Sequence, residues 1–166
     1  MNILTMVSLL IGGLAAASSK YPTVAMNSSY RAKDIKKGVI YCQGPFQTPD
    51  PRNLCATVQR IVVQNGKITD TQGNPIADSQ NNNDDRIDYV MDADGGIYLF
   101  DENTVPKIRH SSVLGAQPVA GAGEIKIRNS TVECVDSNSG HYPTQSVLHN
   151  VLKELALGGV HASVCP

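Results

Sequence analysis

The chain has 166 residues, of which 41% are apolar and 17% charged, and 14 basic against 15 acidic side chains leave a net charge of -1. One domain of ordinary size is the expectation, and these figures exclude a polyelectrolyte tail, a strongly basic nucleic-acid binder and a multi-domain enzyme. With six Tyr, two Phe and no Trp, the core must rest mainly on Val, Ile, Leu and Ala.

Ile3 to Ala17 is an apolar stretch ending in Ala15-Ala16-Ala17-Ser18, which has the hydrophobic core and small-residue cleavage site of a secretory signal peptide. It is too short to span a bilayer, which takes about 20 apolar residues. Residues 1–17 are therefore read as a signal peptide and residues 18–166 as a single secreted domain without a membrane anchor. Secretion places Cys42, Cys55, Cys134 and Cys165 in an oxidising compartment. No CxxC or Cys/His spacing points to zinc, so two disulfides are expected. Three pairings are open. Cys42 with Cys55 and Cys134 with Cys165 is favoured, because each half of the chain then closes its own loop. Asn27-Ser28-Ser29 and Asn129-Ser130-Thr131 are glycosylation sequons in a eukaryotic host.

Gly38 to Cys42 reads as a short β-type run closed by Gly44-Pro45. After Asp50 and Pro51, the apolar positions Leu54, Cys55, Val58, Ile61 and Val62 recur at helical spacing up to Asn65-Gly66, which predicts a helix. Asp78 to Arg86 has nothing to bury and reads as an exposed loop. Ile87–Met91 and Ile97–Phe100 flank Asp92-Ala-Asp-Gly-Gly96 as a β-hairpin, the turn lacking the further ligands of a calcium loop. Glu124–Arg128 and Thr131–Val135 form a second hairpin. Val147, Leu148, Val151, Leu152 and Leu155 share a helical face that Gly158-Gly159 terminates, and Val160 to Val164 reads as a last strand. The sum is a strand-dominated α+β single domain with antiparallel hairpins and two helices, stapled by two disulfides.

Polar, reactive side chains concentrate between His110 and Tyr142. His110-Ser111-Ser112, Gly121-Ala-Gly123-Glu124 and Ser139-Gly140-His141-Tyr142 set small residues beside a carboxylate, imidazoles and hydroxyls. Small residues let a ligand approach the backbone closely. Turn-forming and local hydrogen bonding is the plain alternative for such residues.

The segments His110-Ser-Ser-Val-Leu-Gly115, Pro118-Val-Ala-Gly-Ala-Gly-Glu124 and Ser139-Gly-His-Tyr-Pro-Thr144, in this order, resemble a domain of bacterial polymorphic toxins and plant calmodulin-binding IQ-motif proteins. The hairpin Tyr89 to Tyr98 is similar to the same domain, and the resemblance runs from Asp88 to Leu155. The sequence carries no evident IQ motif, so calmodulin binding is not transferred. The toxin-like members are similar in layout to ADP-ribosyltransferases, and that likeness implies NAD as co-substrate. It assigns Glu124, His141 and Ser111 to catalysis and Arg31, His110, Ser112 and Tyr142 to NAD binding. In such enzymes an Arg on an early strand pairs with the pyrophosphate, a Ser on a strand orients the ribose, and a Glu stabilises oxocarbenium-like charge. Ala122 stands where a second acidic residue or Gln is usual.

The implied function is a secreted, monomeric effector or toxin that modifies a target-cell protein by NAD-dependent ADP-ribosylation. The alternative is a non-catalytic secreted module that occupies a host protein. A hydrolase triad drawn from Ser111 or Ser112, His141 and an Asp lacks the surrounding nucleophile-elbow sequence. A near-neutral charge gives no reason to expect nucleic acid.

Overall fold

Strand-forming runs dominate the chain after Val58, and they pair as one sheet. A computed structural model describes residues 18–80 and 85–166, so the signal-peptide segment lies outside the described residues. The strands are β1 (Gln59–Gln64), β2 (Lys67–Asp70), β3 (Ile87–Met91), β4 (Ile97–Phe100), β5 (Gly121–Arg128), β6 (Thr131–Val135) and β7 (Ser163–Val164). Their order is β2-β1-β4-β3-β5-β6-β7, antiparallel throughout except for the parallel pair β6 and β7. Among the described residues three α-helices accompany them, α1 (Ser28–Lys37), α2 (His110–Val113) and α3 (Leu148–Leu157). No helix among the described residues is long and apolar enough to cross a membrane.

The sheet is curled. Ile68 N–H donates to Ser130 O at 2.8 Å and Lys67 Nζ to Asn129 O at 2.8 Å, so β2 meets the turn between β5 and β6. Both faces are buried. Tyr89, Met91, Ile97, Leu99, Ile125 and Ile127 pack on one face with Val151 and Leu155 of α3. On the other, Val90, Phe100 and Ala122 pack with Val113 of α2, Ile108 and Tyr142. Successive strand residues point to opposite faces, so Asp88 and Glu124 share the α2 face with Val90 and Ala122.

The disulfides join Cys42 to Cys55 and Cys134 to Cys165, the favoured pairing. Both hairpins and the last helix lie where expected, and of the expected last strand, Val160 to Val164, only Ser163–Val164 forms. The helix expected after Asp50 does not form. The Asp50 carboxylate accepts the N–H groups of Leu54 and Cys55 at 2.8 and 2.7 Å, but the turn it supports is a single 3-10 turn, Leu54–Thr57. Beyond it, β-branched Val58, Ile61, Val62 and Val63 favour extended backbone, and β4 supplies a partner with Ile61 opposite Ile97.

The expected strand Gly38 to Cys42 begins with a left-handed Gly38 and joins no strand ladder. Its N–H groups reach Lys107 O from Ile40 and Ser112 O from Cys42. The expected exposed loop is anchored at its flanks: Ser79 is buried against Ile127, Asp78 accepts the Asn129 N–H, and Asp85 pairs with Arg128.

Candidate functional site

Helix α1 has little apolar surface, and its one buried residue is Asp34. Local signals form it. The Asn27 side chain accepts the Ser29 N–H, Lys36 and Lys37 sit in the last turn, and Gly38 closes it in the left-handed conformation at φ 64°. What holds the helix to the domain is polar. Asp34 Oδ2 accepts hydrogen bonds from Ser111 Oγ at 2.7 Å and Tyr41 hydroxyl at 3.2 Å, while Oδ1 accepts from His141 Nε2 at 2.9 Å. The Tyr30 ring lies 4.9 Å from the His141 ring, centre to centre. Burial pushes the Asp34 carboxyl up, but the hydrogen bonds from His141, Ser111 and Tyr41 outweigh it and hold the group below the usual carboxylate range. Burial and the adjacent Asp34 push the Tyr41 phenol up to about 12.

This arrangement gathers Ser, His and Asp in an order unsuited to nucleophilic attack. A Ser nucleophile hands its proton to a His that an Asp orients. Here Asp34 is the hub, Ser111 donates directly to it, and the Ser111 side chain is fully buried at 0% exposure.

A second cluster lies beside the first on the α2 face. His110 Nε2 donates to Gly123 O at 3.1 Å and stands 3.7 Å from Asp88 Oδ1, and its ring meets Phe100 edge-on. Asp88 lies opposite Phe100 on β4 and Glu124 on β5, and its Oδ2 accepts the Glu102 N–H at 3.1 Å. Burial pushes the Asp88 carboxyl up to about 7; the Glu102 N–H opposes this, and Glu102, Glu124 and Asp101 reinforce it. Burial drives the His110 imidazole down to about 4, against the Gly123 hydrogen bond and the charge of Asp136, with His141 and Arg109 adding to the fall.

The structure thus joins Ser111 and His141 through Asp34 and sets His110 near Glu124 through Gly123. Arg31 does not enter either cluster; its guanidinium stacks on the Phe46 ring at 3.4 Å. Ser112 Oγ accepts the Arg109 N–H at 2.9 Å, which stabilises the start of α2. Tyr142 is buried, donates to Gln117 O at 3.0 Å, and borders an open depression with Ser137, Ser139 and Thr144. Asp34, Tyr41, Asp88 and Glu102 escaped the sequence reading. Asp88 had a signal, as a carboxylate inside the strand run Ile87–Met91, where burial is the rule.

Against known proteins, the family model of the IQ motif-containing protein middle domain matches residues 57–148, more than half of the chain. No curated protein and no solved structure matches. The family found is neither a toxin nor an ADP-ribosyltransferase family, which overturns that resemblance. Local structure agrees with the correction. Arg31 and Ser111, expected on strands by the transferase layout, both lie on helices.

Proposed function

The chain belongs to the family of the IQ motif-containing protein middle domain, and on that premise we propose that it is a secreted, non-catalytic module that occupies a protein of the cell it reaches. The observation that carries this reading is the Asp34 hub. The hydroxyl and imidazole best suited to chemistry, Ser111 and His141, are tied to one buried carboxylate that fastens α1 to the domain. Support for secretion comes from the two disulfides, which persist in oxidising compartments, and from the signal-peptide pattern of residues 1–17.

The test pairs partner capture with turnover. Crosslinking in target-cell extract should recover one stoichiometric partner with wild type and equally with Glu124→Ala, while nicotinamide release from NAD stays at the protein-free level. NAD turnover that disappears in Glu124→Ala would overturn the binding-module reading.

A further inference from the structure

Three elements converge at the buried end of β3. Asp88 projects from β3 onto the α2 face; Glu102 follows β4, its N–H bound to Asp88 Oδ2; His110 opens α2. One ligand atom from each lies within 4.8 Å of the others. We propose that Asp88, Glu102 and His110 form a site for a divalent transition-metal ion.

Charge balance is the first argument. Asp88 is 6% and His110 4% exposed, and a buried carboxylate requires a compensating charge or strong hydrogen bonding. The neighbouring arginines pair with other carboxylates around Asp88 and not with Asp88 itself. Arg86 lies 2.9 Å from Asp136 and 3.9 Å from Glu124, and Arg109 lies 3.4 Å from Glu102. Among the described residues, the ion pairs leave Asp88 with His110 alone, at 3.7 Å. Asp101, Glu102 and Glu124 add negative charge around Asp88, and a 2+ ion held by Asp88, Glu102 and His110 would offset it.

Donor chemistry is the second. Metal to oxygen or nitrogen distances of about 2.0–2.2 Å place two ligands of one ion about 3–4 Å apart, which modest side-chain rotation achieves from the present separations. Two carboxylates with one imidazole suit Mn²⁺, Fe²⁺ or Zn²⁺, whereas Ca²⁺ and Mg²⁺ prefer oxygen throughout. Nε2 is the ring nitrogen on the Asp88 side. Coordination exchanges its hydrogen bond to Gly123 O for a bond to the ion, with the single ring proton moving to Nδ1.

Untagged full-length protein, freed of metal by chelation, should be titrated calorimetrically with Zn²⁺ and with Mn²⁺. The expected result is one ion per chain, a raised melting temperature, and nitrogen coupling from one imidazole in the spin-echo spectrum of the Mn²⁺ form. Glu102→Gln, at a half-buried position outside any strand, and Asp88→Asn should each weaken binding by about 100-fold. Glu133→Gln, an exposed carboxylate on β6, should leave it unchanged. Two results would overturn the site: no stoichiometric binding by wild type at millimolar Zn²⁺ and Mn²⁺, or undiminished affinity in folded Glu102→Gln.

Discussion

Asp34 and Asp88 are both buried acids, yet their surroundings drive them in opposite directions. Asp34 accepts three hydrogen bonds and stays ionised. Its contribution to stability is present above the unfolded carboxylate range and is lost as the pH falls through the depressed folded value. Asp34→Ala leaves Ser111, Tyr41 and His141 facing a void and should cost about 3–5 kcal/mol in urea unfolding. Asp88 and His110 make a subtler pair. With the carboxyl raised to about 7 and the imidazole lowered to about 4, the folded pair carries one proton between those limits, on the acid. The unfolded pair also carries one, on the imidazole, up to about pH 6.5. Proton counts match, so in metal-free buffer the pair adds almost no slope between pH 4 and 6.5. Single variants should expose the two halves. Asp88→Asn should gain stability by about 3 kcal/mol as pH rises from 4 to 6.5, because the unfolded His110 binds the extra proton. His110→Gln should lose up to about 4 kcal/mol between pH 4 and 7, because the folded Asp88 does. Parallel slopes in the two variants would refute this account.

At the scale of elements, β5 shows how a site constrains a strand. A Cβ built on Gly123 would lie 2.3 Å from Asp136 O, and the same residue's carbonyl receives His110. Gly123→Ala must push β5 from the segment after β6 and move that carbonyl, so a loss of several kcal/mol, about 3 or more, is expected in thermal melts. The hairpins were readable in the sequence because their alternation and Gly or Asn turns report one local choice. Between Leu54 and Val63 the apolar spacing fits a helix and a strand alike, and only pairing with β4 decides between them. Helix α1 was missed for another reason. It has caps but no apolar stripe, since its anchor is Asp34, whose partners lie 7, 77 and 107 residues away. The site was half legible for the same reason: His110, Ser111 and His141 stand out as residue types, but the carboxylates that organise them come from segments that look ordinary alone.

Over the whole molecule, the disulfides close loops of different length. Separations of 13 and 31 residues correspond to about 3 and about 4 kcal/mol of unfolded-state restriction. Cys134→Ser with Cys165→Ser should therefore cost slightly more than Cys42→Ser with Cys55→Ser, as chemical denaturation can measure. The second bridge also has a consequence for company. It fastens two-residue β7 along β6, while β2, at the far end of the sheet, leans on the β5–β6 turn and on the bridge from Thr69 to Pro75. Open sheet margins invite another chain to add itself as a further strand. Here one margin is locked by a covalent bond and the other folded inward. At the locked margin β7 offers only two residues of backbone, and reduction of Cys134–Cys165 would free it and uncover the longer edge of β6.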